Sequence, residues 1–214
     1  MKALRISMLL PLLLLVIGCA SLQNGSNFQA GRRALLRGDN ETALAYFQTV
    51  AQRDPDYTYG TAYQQGVLSY LGRTEYLTGK LPQARQTLER ALSTNHQEDD
   101  LTRLYLGLAL ARGADRARGL KEMEVGMRGI YEWIEYITEA HRFSFGQYWD
   151  PGRDIRTAIE NDLRMLSGRE PDMSKAIASG EWIAKRMEEE EDKASRQESR
   201  EQDRDSDGNG DTQP

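Results

Sequence analysis

Apolar residues recur along most of the chain at helical spacing, and polar residues fill the positions between them. The clearest stretches are ALLRGDNETALAYFQTVAQRDPDY, starting at residue 34, and YLGRTEYLTGKLPQARQTLERALSTN, starting at residue 70. Gly38 and Gly79 each divide a stretch into two helical halves, because glycine ends a helix easily and lets the chain turn back. No segment shows the alternation typical of strands, so the pattern predicts an all-α body.

The two stretches align with each other and with a third. Aligning them on Ala43 and Ala84 brings further residues of similar size into register. The matched pairs are Gly31 with Gly72, Gly38 with Gly79, and Phe47 with Leu88. A third copy continues the series with Leu106, Gly107 and Met123. The small residues would let helices approach closely, and the large apolar residues would fill the space between them.

This pattern resembles the tetratricopeptide repeat, a helix–turn–helix unit of about 34 residues. The resemblance implies a short solenoid of about three helical hairpins over residues 28–133. Asn40 is the predicted N-cap of the second helix in repeat one, and Pro82 fits the first turn of the second helix in repeat two. The first two repeats lie 41 residues apart, so the extra residues near 58–64 should lengthen the next helix or lead into it.

Aromatic residues concentrate after the repeats, where residues 130–149 hold seven of the chain's seventeen. They are Tyr131, Trp133, Tyr136, Phe143, Phe145, Tyr148 and Trp149. A helical cap over the open end of the stack is the favoured interpretation, because a solenoid needs one, and an aromatic binding surface is the alternative. Two further helical patterns start near residues 155 and 174, so residues 134–187 are predicted to form extra C-terminal helices.

Acidic residues concentrate at the end of the chain. Residues 188–214 contain 11 acidic and 4 basic residues, and no aromatic or aliphatic side chain larger than alanine. Such a segment cannot bury enough apolar surface to offset the entropy lost on ordering, so a disordered acidic tail is predicted beyond the last helix. The net charge of the whole chain is −5, which argues against nucleic-acid binding through phosphate neutralisation.

The N-terminus has the pattern of an export signal. Lys2 and Arg5 precede an apolar run over residues 8–17, which is too short for a membrane span because spanning takes about 20 apolar residues. The sequence VIGC follows at residues 16–19 and contains the only cysteine of the chain. These residues resemble the lipobox of bacterial lipoprotein precursors. The alternative is a plain secretory signal with an incidental cysteine.

The lipobox resemblance implies that residues 1–18 are a signal peptide and that Cys19 becomes a lipidated N-terminus carrying acyl chains such as palmitate. Two or more chains anchor a protein stably, whereas one chain is marginal. Ala20, in place of an aspartate, favours the periplasmic face of the outer membrane over the inner membrane. Residues 19–27 are then predicted to be a polar lipidated tether.

The sequence offers little for catalysis or metal binding. One cysteine and two histidines exclude a Cys/His metal cluster and an intrachain disulfide. His141 has Glu139 nearby but no serine or cysteine nucleophile in a recognisable motif. We therefore predict no catalytic residue, no metal and no cofactor, and a protein that is not an enzyme.

The repeat resemblance implies a concave face that is lined by the first helix of each repeat and that holds a protein segment. By register, Arg32, Arg73, Tyr76 and Arg112 should line this face, and Arg73 and Tyr76 should lie outside the packed core. Guanidinium groups bind carboxylates bidentately, so these four residues are the candidate site for an acidic segment of a partner.

Together these patterns predict a membrane-anchored periplasmic scaffold or adaptor. Its partners would be unidentified envelope proteins of an assembly or secretion machine, and its contact with the membrane would be the lipid on Cys19. The alternative is a helical ligand-binding lipoprotein that serves as accessory to a solute transporter.

Overall fold

The computed structural model describes residues 23–60, 63–94, 99–168 and 170–208. Its helices in chain order are α1 (23–36), α2 (Asn40–Arg53), α3 (Val67–Leu77), α4 (Leu81–Thr94), α5 (Asp100–Arg112), α6 (Arg116–Ala140), α7 (Asp154–Leu166) and α8 (Met173–Gly208). A 3-10 helix covers Phe145–Tyr148, and the short strands β1 (Thr58–Tyr59) and β2 (Gln65–Gly66) form an antiparallel ladder. The described chain is helical apart from this ladder and its connecting turns.

Three helical hairpins, α1–α2, α3–α4 and α5–α6, stack in chain order. A glycine on the first helix of each hairpin faces a large side chain on the second. The pairs are Gly31 with Phe47, Gly72 with Leu88, and Gly107 with Met123. A methyl group added at Gly72 would lie only 2.5 Å from Leu88 Cγ, so the two helices require glycine at their crossing. This geometry confirms the predicted all-α fold of repeated hairpins and the register on which it was based.

The turns inside the first two hairpins depend on left-handed glycines. Gly38 and Gly79 have φ angles of +78° and +77°, which side chains with a Cβ rarely adopt. The Asp39 side chain then accepts a hydrogen bond from the backbone N–H of Thr42 and caps α2. The predicted N-cap, Asn40, is therefore wrong by one residue, because the turn at Gly38 leaves Asp39 just outside the helix.

The additional residues between the first two repeats form the β1–β2 ladder. Thr58 pairs with Gly66 and Tyr59 with Gln65, and α3 begins immediately afterwards at Val67. Of the two predicted outcomes, the segment is thus a lead-in and does not lengthen the first helix of repeat two. Tyr59 on this ladder contacts α1, so the lead-in also helps to order the first hairpin.

Helix α6 continues past residue 133 as one helix of 25 residues, and α7 and the 3-10 helix pack against it. The Trp133 and Trp149 rings meet edge to face with their centroids 4.6 Å apart. Five of the seven clustered aromatic rings are buried or partly buried, whereas Tyr136 and Phe143 are 64% and 88% exposed. Most of the aromatic segment therefore packs as a cap on the last hairpin.

The predicted tether at residues 19–27 needs correction in its second half. Residues 23–27 belong to α1, and Asn24 and Phe28 are buried. The Phe28 ring packs against several aromatic rings of the first two hairpins, so the turn before it is held in the helix. The signal peptide and Cys19 lie outside the described residues. No helix in the described part of the chain combines the length and apolarity needed to cross a membrane.

The boundary predicted at residue 187 also needs correction. Helix α8 runs through it to Gly208, and Glu188, Glu190, Glu191 and Ala194 are buried. The first part of the acidic segment is thus packed into the fold. Cations and tyrosine hydroxyls on the repeats partly compensate for burial of Glu188 and Glu191. Glu190 instead pairs with Arg186 and Lys193 of α8 itself.

Candidate functional site

The first helices of the three hairpins present their predicted site residues on one common face. Arg32 lies on α1, Arg73 and Tyr76 lie on α3, and Arg112 lies on α5. Helix α8 crosses this face, which we call the concave face, and each of the four residues contacts a glutamate of α8. The structure therefore brings the predicted residues together, but it places a segment of the same chain on them.

Helix α8 carries an acidic edge and an apolar strip side by side. Glu181, Glu188 and Glu191 are spaced by seven and three residues, so they share one edge of the helix. Beside this acidic edge lies an apolar strip that packs into the core. Its buried members are Ala176, Ile183, Ala184, Met187 and Ala194. The acidic edge therefore meets the arginines while the apolar strip closes the core.

Arg73 occupies the centre of the concave face and is completely buried, with 0% of its surface exposed. Its guanidinium lies 4.6 Å from the Tyr70 ring centroid and 5.6 Å from that of Tyr105. Glu188 Oε1 is 3.6 Å from Arg73 Nη1, which is beyond hydrogen-bond distance, and it accepts a hydrogen bond of 3.1 Å from the Tyr105 hydroxyl. Within the described residues, none of the three guanidinium nitrogens has a hydrogen-bond partner.

Arg32 makes the second pair, at the α1 end of the face. Its Nη2 lies 3.5 Å from Glu191 Oε1, and its Nη1 donates a 3.0 Å hydrogen bond to the Tyr59 hydroxyl. The Tyr70 hydroxyl donates to both carboxylate oxygens of Glu191, at 3.1 and 3.3 Å. Arginine and tyrosine thus share one buried carboxylate.

Arg112 and Tyr76 make the third contact, near the open end of the face. Arg112 Nη2 lies 2.6 Å from Glu181 Oε1, and the Tyr76 hydroxyl donates to the same oxygen. Burial and this negatively charged acceptor raise the pKa of the Tyr76 hydroxyl well above its ordinary value. This pair is tighter than the two deeper pairs, although nearly half of the Arg112 side chain is exposed.

Burial dominates the electrostatics at the two deeper pairs. It raises the pKa of Glu188 and Glu191, and the positive fields of Arg73 and Arg32 oppose this rise without cancelling it. Burial alone would lower the pKa of Arg73, but the negative fields of Asp99 and Glu188 outweigh it and keep the guanidinium charged. The concave face therefore contains permanent buried cations.

Arg73 and Tyr76 were expected outside the packed core, and this expectation is wrong because α8 covers both. Sequence reasoning also missed the acidic side of the site and the tyrosines Tyr70 and Tyr105. The spacing of Glu181, Glu188 and Glu191 was visible in the sequence. It was masked by the run of four glutamates at residues 188–191, which is typical of a solvated segment.

An open cleft remains on the concave face next to α8, with a volume of about 480 Å³. Its lining combines apolar side chains, cations, and Glu181 and Glu188 of α8. The lining includes Leu35, Leu36, Leu77, Tyr105, Arg37, Arg112 and Lys185. Leu77 is 39% exposed there. The cleft gives a second molecule access to the edge of the site.

The chemistry of the site suits carboxylate recognition. Within the described part of the chain, no group of three or more His, Cys, Asp or Glu side chains is arranged to hold a metal ion. His141 stacks on Phe145 with a centroid distance of 4.4 Å, beyond the last of the three hairpins in the chain order. Planar guanidinium groups framed by tyrosines can bind acidic side chains of a protein through charge, hydrogen bonds and cation–π contact.

Comparison with known proteins identifies the repeats. Residues 34–108, from α1 to α5, match the family model described as tetratricopeptide repeat. The match spans the first two hairpin turns and ends in the first helix of the third hairpin. The chain matches no curated protein and no solved structure.

Proposed function

Because residues 34–108 match the tetratricopeptide repeat, we propose that the chain is a non-enzymatic scaffold that holds a protein partner on its concave face. The observation that supports this is the binding of α8, which the face holds through Arg32, Arg73 and Arg112. Tetratricopeptide repeats serve as interaction surfaces for proteins. A face that binds one helix through specific charges has the chemistry to bind another.

The scaffold is proposed to be anchored at the periplasmic face of the outer membrane through lipid on Cys19. The support is the sequence of residues 1–19, with its basic start, apolar run and lipobox-like ending. Residues 20–22 alone separate Cys19 from the described start of α1. The four Cα–Cα steps from Cys19 to residue 23 span at most about 15 Å, so such an anchor would hold the first hairpin close to the membrane and present its partner to an envelope machine.

The alternative function, a ligand-binding accessory of a solute transporter, is favoured by one observation. The cleft beside α8 has a volume of about 480 Å³, which is within the range of about 300–1,000 Å³ typical of small-molecule pockets. The scaffold is preferred because the buried charges of the face are already matched by a protein helix, whereas the cleft is open along its edge.

Site-specific photocrosslinking in cells tests the scaffold. A photoreactive phenylalanine analogue at Leu77 reports on the cleft, and one at Val125 on α6 is the matched control because the two side chains are 39% and 41% exposed. We expect the full-length protein to crosslink a protein partner from position 77 and not from position 125. Equal crosslinking from both positions, or crosslinking from position 125 alone, would move the partner off the concave face.

A further inference from the structure

We propose that α8 occupies the concave face as an internal ligand, and that the partner of this face is an acidic amphipathic helix whose carboxylates replace those of Glu181, Glu188 and Glu191. The proposal rests on the scaffold function above and specifies the chemistry of its partner. It also makes α8 autoinhibitory, because the partner can bind the concave face only after α8 has left it.

The concave face contacts the acidic edge of α8 selectively. Its arginines and tyrosines pair with the three glutamates of that edge. The acids on the outer side of α8 pair within their own helix: Glu189 with Lys185 and Arg186, and Asp192 with Arg196. Recognition therefore requires carboxylates at the spacing i, i+7 and i+10 on a helix, and any acidic helix with that spacing carries the same signal.

Helix α8 fits the face imperfectly at its centre. Arg73 has five N–H donors that are buried and make no hydrogen bond with the described residues, and its paired carboxylate oxygen on Glu188 is 3.6 Å away. The Arg32–Glu191 pair is nearly as long, at 3.5 Å. A carboxylate brought closer could form the bidentate pair that arginine favours. Helix α8 thus does not make all the hydrogen bonds that the arginines offer, and a better-fitting acidic helix could make them.

A short connection keeps this imperfect ligand bound. Residues 167–172 join α7 to α8, and a connection of this kind gives a tethered ligand an effective concentration in the millimolar range. The tether can therefore hold α8 in place despite the loose central pair. The cleft beside α8 exposes Arg37 and Arg112 at its edge, where an acidic helix can make first contact before α8 moves.

The test uses the full-length chain and a fluorescein-labelled peptide with the sequence of residues 176–196, followed by fluorescence anisotropy. The loosened variant is Glu188→Gln/Glu191→Gln, which removes two charges from the acidic edge. The matched control is Glu189→Gln/Asp192→Asn, which removes two charges from the outer side of the same helix. We expect the Kd of the peptide to be at least about 10-fold lower for the loosened variant than for the wild type and the control, since its face is more often open.

The peptide itself supplies the specificity control. A peptide with glutamine at the positions of Glu188 and Glu191 should bind the loosened variant at least about 10-fold more weakly than the unmodified peptide. Equal binding of the two peptides, or equal binding by wild type and loosened variant, would overturn the proposal. A loosened variant that dimerises by exchanging α8 and does not bind the peptide would also overturn it, because the occupant would then be a second copy.

If the double variant does not fold, as judged by circular dichroism, the single variant Glu191→Gln and the wild type keep the proposal testable. Excess isotopically labelled peptide should speed hydrogen exchange of residues 181–194 in the wild type, and unchanged exchange would count against displacement. Failure of the inference is distinguishable from failure of the scaffold function. A partner crosslinked through Leu77 with no peptide binding refutes only the acidic-helix proposal, whereas peptide binding without any crosslinked partner refutes the scaffold.

Discussion

Replacement of Arg73 by methionine isolates the buried charge at the centre of the concave face. Methionine keeps an unbranched apolar stem but leaves the Glu188 carboxylate buried without its cation. At the observed separation of 3.6 Å, the Coulomb attraction is about 4–5 kcal/mol with an effective dielectric constant of about 20. Removing one partner of a buried ion pair typically costs about 3–5 kcal/mol. Because Glu188 retains the Tyr105 hydroxyl and can bind a proton, we expect a loss near the lower value, about 3 kcal/mol.

The assay is urea unfolding of the full-length protein at several pH values. Burial raises the pKa of Glu188 above its ordinary value of 4.5, and loss of Arg73 removes the main opposing field. A folded state with the higher pKa binds more protons than the unfolded state, so stability falls as pH rises through the window between the two pKa values. Both proteins lose stability as pH first rises above 4.5, and the gap between Arg73→Met and wild type should widen once pH exceeds the raised pKa of Glu188 in the wild type.

Two further variants define the outcome. Arg128→Met removes an exposed pair with Glu124 at 2.9 Å and should change stability by at most about 0.5 kcal/mol. Arg73→Met/Glu188→Leu replaces the buried pair by apolar groups and should recover most of the loss, to within about 1 kcal/mol of wild type. If Arg73→Met costs no more than Arg128→Met at every pH, the buried pair does not hold α8 and the reasoning is refuted.

Three other changes test other parts of the chain. Cys19→Ser should abolish metabolic palmitate labelling, and undiminished label would contradict the lipobox interpretation. Ala84→Glu places a charge at a fully buried position of α4 and should cost about 3 kcal/mol or more, so an unchanged thermal melt would reject the repeat register. Truncation after Met187 should lower the melting temperature, because it removes the buried glutamates opposite the arginines. Truncation after Arg200 should leave the melting temperature unchanged. If the two truncated proteins melt at the same temperature, residues 188–194 do not stabilise the fold.

Local patterns are sufficient to predict the repeats. The pairing of a small residue with a large one, such as Gly72 with Leu88, is set by steric contact within one hairpin and recurs from one hairpin to the next. The same periodicity predicts that Arg32, Arg73 and Arg112 share one face, because each lies on the first helix of its repeat with its side chain toward the same side of the stack. Short-range rules and repetition together determine these features.

The position of α8 could not be predicted in this way. Its contacts join residues far apart in the chain, with sequence separations of 83 residues for Tyr105 and Glu188 and 121 for Tyr70 and Glu191. Seen locally, four consecutive glutamates indicate a solvated segment. Burial of Glu188 and Glu191 depends on the arginines and tyrosines of the distant face, and no local pattern reports that the two sets of residues meet.

The charged composition of the concave face is explained better by exchange of α8 for another helix than by the stability that α8 adds to the fold. An apolar strip would hold α8 at least as firmly, because desolvation of a buried ion pair often cancels its Coulomb attraction. At this face, burial raises the pKa of both Glu188 and Glu191, which is the sign of an uncompensated desolvation cost. A charged face binds α8 less tightly than an apolar face would, but it recognises a pattern of carboxylates that another helix can also supply. The Arg73→Met/Glu188→Leu variant separates the two roles, since it should keep the fold while losing the ability to exchange α8 for an acidic peptide.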